Sequence, residues 1–165
     1  MSHRWTLLIY RLPSQPSRLR LSVWRKLQAL GAVYVQDGVA ALPSRDDLDE
    51  NLRQVAADVV EYEGTAFVVP TELPGPDDER MRGLFRSAAD RRFAEVETAL
   101  RATLAALGDS SQLGDLEEAE QSLARERIAF LRAKRISYLG GDKEPEVERL
   151  LRELRERLDT TATLA

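Results

Sequence analysis

Between Pro16 and Pro43 a helix-period stripe of apolar residues is cut by one glycine and followed at once by a strand-like run. That junction restricts the chain to folds in which a helix returns directly onto a sheet. Leu19, Val23, Leu27 and Leu30 repeat as one face of a helix, with Ser17 placed to cap its start and Gly31 to stop it. Ala32 to Leu42 then reads as strand, interrupted at Gln36-Asp37-Gly38 by the Asp-Gly pair that tight hairpins favour. Two short strands, or one strand with a bulge, satisfy that pattern.

The flanking segments complete an alternation. Trp5 to Leu12 is rich in β-branched, aromatic and aliphatic residues and stops at Pro13, and its two apolar faces suit a central strand. After Ser44, the residues Leu48, Leu52, Val55, Ala56 and Val59 mark a second helix with an acidic outer face, ended by Gly64, and Thr65 to Pro70 forms a fourth strand. The order β-α-β-β-α-β predicts an α+β fold, a ferredoxin-like antiparallel sheet with its helices on one face. Leu73-Pro74-Gly75-Pro76 has the composition of a hinge, which divides the chain into a sheet domain over 1–74 and a helical domain over 75–165.

In the second part Phe93, Val96, Leu100, Leu104 and Leu107 share a helical face, and a loop follows from Gly108 to Gly114. Leu116, Leu123 and Phe130 recur every seven residues with Ala119 between the first two, and Pro145 suits the first turn of a last helix bearing Val147, Leu150, Leu151, Leu154 and Leu158. A helical hairpin or three-helix bundle is predicted, with Thr160 to Ala165 as a frayed tail.

Among 165 residues there is no cysteine, which excludes a disulfide framework and thiolate metal sites and fits a reducing cytoplasm. Apolar runs fall far short of the roughly 20 residues that span a bilayer, and the start lacks the basic, apolar, small-residue order of a signal peptide. A cytoplasmic protein without membrane contact is expected. The net charge of -4 hides segregation: Met1 to Arg45 carries seven basic residues against one acid, whereas Asp46 to Arg80 carries two against eleven. One edge of the protein should attract anions while another repels them.

Catalytic chemistry has little to work with. His3 is the sole histidine and sits beside the terminus, and Asp46, Asp47, Asp49 and Glu50 suit the positive end of a helix dipole. Gly31, Gly38 and Gly64 are isolated and fit caps and turns in place of a phosphate loop. A magnesium nuclease is disfavoured because the first strand ends at Tyr10-Arg11, without a carboxylate there. No catalytic residue, metal site or cofactor is assigned, and a non-enzymatic protein is expected.

The first helix is the better clue. Arg18 and Arg25 project outward, while Arg20 lies near the apolar stripe beside Trp24, half-buried and in need of a carboxylate, carbonyl or phosphate. Trp24 reads as core, or as a stacking platform for a base or partner. Either this is a solvated face with an internal ion pair, or Arg18, Arg20, Arg25 and Lys26 contact phosphates, for which the arginine fork is well shaped. A second basic cluster, Arg125, Arg127, Arg132, Lys134 and Arg135, accompanies Phe130 and Tyr138.

The ordered motifs Leu8-Ile-Tyr-Arg-Leu-Pro-Ser-Gln-Pro-Ser-Arg, Val23-Trp-Arg-Lys-Leu, Leu30-Gly-Ala-Val-Tyr-Val-Gln-Asp-Gly-Val and Leu42-Pro resemble the N-terminal domain of the chromate-resistance regulator family, ChrB, with the likeness extending to about Leu158. The segment around Trp24 and Gln36-Asp-Gly is also similar to the middle domain of PaaX-type repressors, itself similar to ferredoxin-like CRISPR nucleases. The resemblance implies a bacterial transcription regulator of chromate resistance, whose longer members add a C-terminal domain associated with chromate response. A recognisable helix-turn-helix is missing, so DNA binding would use the basic helix or a homodimeric surface, with a separate sensor-type domain as a further partner. The alternative is a chromate sensor or protein-interaction module that does not touch DNA.

Overall fold

The structure, a computed structural model, describes residues 4–108 and 112–164. The chain divides into two compact units, Met1–Phe85 and Arg86–Ala165. Its first part runs β1 (Arg4–Arg11), α1 (Ser17–Leu30), β2 (Val33–Gln36), β3 (Val39–Pro43), α2 (Asp46–Glu61) and β4 (Thr65–Glu72). The strands form one antiparallel sheet in the order β2-β3-β1-β4, so β1 is central as its apolar faces required. Of the two alternatives for the Gln36-Asp37-Gly38 segment, two short strands are realised: β2 and β3 form a hairpin, whose register shifts between Tyr34 and Gln36.

Successive residues of β1 point to opposite sides of the sheet, and each side holds a helix. Thr6 donates its hydroxyl to Asp49 of α2 at 2.6 Å, and Ser44 donates to the other oxygen of the same carboxylate. On the opposite side the indole N–H of Trp5 donates to Asp78 at 2.8 Å, and its ring stacks on Phe85 at 5.2 Å. Asp78 and Phe85 lie in α3 (Gly75–Leu107), a single helix that begins directly after β4. The expected arrangement, with helices on one face only, is therefore incomplete, because Met81 and Phe85 are buried together with Trp5. Farther along that face Ile9 and Phe67 are cross-strand neighbours and both are exposed.

The caps differ from the sequence expectation by a residue. Ser17 is the first residue of α1 and Pro16 occupies the cap position, with no side-chain hydrogen bond there. Gly31 closes the helix in the left-handed region with φ 77°, a conformation that costs a residue without Cβ nothing in sterics.

The second unit contains the remainder of α3 with α4 (Leu113–Arg135) and α5 (Glu144–Leu164). Phe93, Val96, Leu100, Leu104 and Leu107 of α3 join Ala119, Phe130 and Ala133 of α4 and Val147, Leu150, Leu154 and Leu158 of α5 in one buried cluster. Phe93 meets Phe130, and Thr103 meets Ser122, so α3 and α4 run antiparallel. Arg101 reaches Glu146 and Lys143 reaches Glu97, which sets α5 parallel to α3. A three-helix bundle results. Helix α5 continues through Leu164, with the hydroxyls of Thr160, Thr161 and Thr163 donating to carbonyls four residues back, so the frayed tail expected from Thr160 is instead helical up to that point.

Two outcomes test these contacts. Asp78→Ala removes the acceptor shared by Trp5 and Arg82 and should lower stability by about 1–3 kcal/mol, read from urea unfolding followed by tryptophan fluorescence. Glu146 has its carboxyl held down at about 2 by hydrogen bonding to Arg149, aided by Arg101. A depressed carboxyl stabilises the fold fully above its unfolded value and loses that contribution as pH falls through the folded one. The difference in Tm between wild type and Glu146→Gln should therefore be constant above about pH 5 and vanish towards about pH 2.

Candidate functional site

At the end of β1 the sheet opens into a cleft of about 1050 Å³, lined by residues from four separate segments of the first unit. Tyr10 and Arg11 come from the end of β1, and Arg20, Leu21 and Trp24 from one flank of α1. Tyr34, Asp37 and Gly38 come from β2 and its turn, and Glu63, Gly64 and Thr65 from the connection between α2 and β4. Residues separated by more than fifty positions thus share one concavity.

Two glycines let the walls close on the strand. A Cβ at Gly38, which has φ 75°, would stand 2.6 Å from the Tyr10 carbonyl oxygen, and one at Gly64 would stand 2.4 Å from that of Arg11. Gly38 in turn accepts the Tyr10 backbone N–H at 2.8 Å. Both positions demand the absence of a side chain, one for conformation and space and the other for space alone. Glu63, just before Gly64, takes the left-handed conformation at φ 63° to make the turn.

Helix α1 is divided by direction. Val23 and Leu27 are its fully buried residues, a stripe narrow enough that both flanks remain open. One flank turns to α2, where Lys26 donates to Asp58, whose hydrogen bond raises the lysine above its ordinary range. The other flank carries Arg20, Leu21 and Trp24 into the cleft, and Arg18 and Arg25 lie between the two, exposed on the back.

This placement corrects two expectations. Arg20 is exposed where a half-buried side chain was expected, and Trp24, expected in the core, is 47% exposed. The apolar stripe of α1 stops at Val23 and Leu27, and none of the described residues covers the helix on the Trp24 side. The proximity of Arg20 to Trp24 is retained, and both line the same wall. Arg11, Arg18, Arg20 and Arg25 have no hydrogen-bond or ion-pair partner among the described residues, so four cations of the first unit stand available to an anion.

The tyrosines of the cleft were not recognisable from their spacing. Tyr10 and Tyr34 are brought together by the intervening strand β3, and their hydroxyls hydrogen-bond at 2.8 Å. Burial pushes the Tyr34 phenol up, and the Tyr10 hydroxyl adds to this, so Tyr34 stays neutral and serves as a hydrogen-bonding group. Arg11, the residue that spoke against a carboxylate metal site, is itself a cleft residue.

His3 lies outside the described residues. The carboxylates Asp46, Asp47 and Asp49 occupy the first turn of α2, and Asp49 accepts the hydroxyls of Thr6 and Ser44. Among the described residues no group of three or more His, Cys, Asp or Glu side chains converges to hold a metal ion, and no helix is long and apolar enough to cross a membrane. In the second unit Arg125 pairs with Glu126, and Lys134 pairs with Glu144 and Glu148 while lying over Phe130. Arg127, Arg132 and Arg135 are exposed and have no such partner among the described residues.

These features define an α+β protein whose sheet unit presents an open cleft of unpaired arginines and aromatic rings and whose second unit is a helical bundle. The chain belongs to the family described as Protein ChrB, N-terminal, which matches residues 20–164. It is similar to the Protein ChrB of Cupriavidus metallidurans, with 29% identity over 110 residues that cover 66% of this chain and 33% of that protein. The match thus spans about one third of the relative's length.

Gly64→Ala tests how tightly the cleft wall is seated. The added methyl group meets the Arg11 carbonyl and the Val59 side chain, and should lower stability by about 1–3 kcal/mol in a thermal or urea melt.

Proposed function

We propose that this chain is a non-enzymatic regulatory module of chromate resistance that binds DNA through α1 and the adjoining cleft. The observation that carries this reading is the group of unpaired cations Arg11, Arg18, Arg20 and Arg25 on one helix and the strand end beside it. Unpaired arginines on a surface otherwise rich in ion pairs are suited to phosphate oxygens. The membership of the ChrB N-terminal family supports the regulatory role. The sheet unit is read as ferredoxin-like, supported by its β-α-β-β-α-β succession and the antiparallel order β2-β3-β1-β4.

Within this reading Arg18, Arg20 and Arg25 make the phosphate contacts. Lys26 contributes to the positive field while its ammonium remains tied to Asp58. The protein acts in the cytoplasm as a homodimer, a state supported by the exposed neighbours Ile9 and Phe67 on the sheet and by Ile128 and Leu131 on α4. A sensor-type domain supplied separately would complete the response to chromate. The second reading, an oxyanion sensor that leaves DNA alone, is favoured by one observation, the convergence of Arg11 and Arg20 on a single cleft.

The two readings separate by salt and by ligand. Arg18→Glu with Arg25→Glu should weaken binding to a promoter duplex, flatten the dependence of log K on log salt by about 2, and leave the circular dichroism spectrum unchanged. Equal affinity of wild type and the double variant would remove those residues from the interface. Saturable chromate binding with no duplex shift would establish the sensor instead.

A further inference from the structure

We propose that the cleft is a nucleotide site, in which Trp24 stacks on an unpaired base while Arg20 and Arg11 hold the phosphate. The inference deepens the DNA-binding reading and rests on its assignment of Arg20 as an anion contact. A duplex-binding helix face needs only cations on a convex surface. Here the cations Arg11 and Arg20 line a concavity of about 1050 Å³, and the α1 wall that carries Arg20 also carries an indole that is 47% exposed. An aromatic ring left open to solvent beside arginines offers a stacking face and a charge to the same ligand.

Apart from the carboxylates Asp37 and Glu63, which also line it, the rest of the cleft fits that chemistry. Leu21, also exposed, extends the apolar wall next to Trp24. The Tyr10 and Tyr34 hydroxyls, paired at 2.8 Å, place hydrogen-bonding groups where a base edge or sugar can meet them. A fully paired duplex cannot present a base face to Trp24, because both faces of each base are covered by its neighbours in the stack. The ligand is therefore an unpaired nucleotide, either within a single strand or free in solution.

The test uses the intact chain, whose other indole, Trp5, is fully buried and reports nothing of the cleft. A thymidine strand of roughly ten nucleotides should quench the fluorescence of Trp24 saturably, and Trp24→Leu should weaken binding of the labelled strand about 5- to 100-fold, with Trp24→Phe recovering part of the loss. Arg20→Ala should weaken the strand as well, whereas Arg18→Glu with Arg25→Glu, outside the cleft, should change the quenching far less than it changes duplex binding. Quenching by the strand and only weakly by thymidine monophosphate assigns the site to a nucleic-acid strand, and equal affinity for both assigns it to free nucleotides. Absence of quenching, or Trp24→Leu binding the strand as wild type does, overturns the proposal. Should duplex binding persist without quenching, the cleft inference alone falls; should quenching persist without duplex binding, the promoter reading falls.

Discussion

Two adjacent residues on the central strand, Trp5 and Thr6, bind helices on opposite sides of the sheet through carboxylates. Thr6 holds Asp49 of α2, and Trp5 holds Asp78 of α3 while stacking on Phe85. The buried carboxylate Asp78 is also paired with Arg82, so its charge is compensated within the same helix. Burying a carboxylate without such partners would cost several kcal/mol, roughly the stability of a small unit. These contacts seat β1 between two helices, and its far end is what the cleft is built around.

The cleft follows from how little of α1 the sheet covers. With Val23 and Leu27 alone fully buried, the helix leaves one flank to α2 and the other to solvent. Lys26 on the first flank is neutralised by Asp58, and Arg20 on the second is not. Charge of one sign, carried by residues ten positions or fewer apart on one helix, is thereby sorted into an internal ion pair, an outward face and a cleft wall. The sorting converts a basic helix of ordinary composition into a surface able to receive an anion on one side.

Apolar periodicity was the legible part of the fold. The stripes of α1, α2, α3, α4 and α5 and the four strands could each be read because burial of a helix face or a strand repeats at fixed intervals. What the periodicity did not show is that the first turns of α3 belong with the sheet: Pro74-Gly75-Pro76, read as a hinge, is the start of that helix, since proline and glycine are accommodated where the first backbone N–H groups have no partner. Its first turns pack on Trp5, which a division of the chain at residue 74 separates from them. The threonine-rich end of α5 was read as frayed because its side chains compete for backbone carbonyls, and in the helix they bond to those carbonyls from the i−4 position.

By itself the sequence determined the alternation of elements, the central place of β1, the charge segregation and the outward position of Arg18 and Arg25, since all of these depend on the order and spacing of residues along the chain. Only the tertiary structure decided what surrounds each side chain. It brought Tyr10 to Tyr34 across β3, gave Lys26 to Asp58, and left Arg20 and Trp24 open beside Arg11. The physical reason is that helical periodicity specifies the direction in which a residue points, whereas its burial and its partners depend on what the rest of the chain places in that direction.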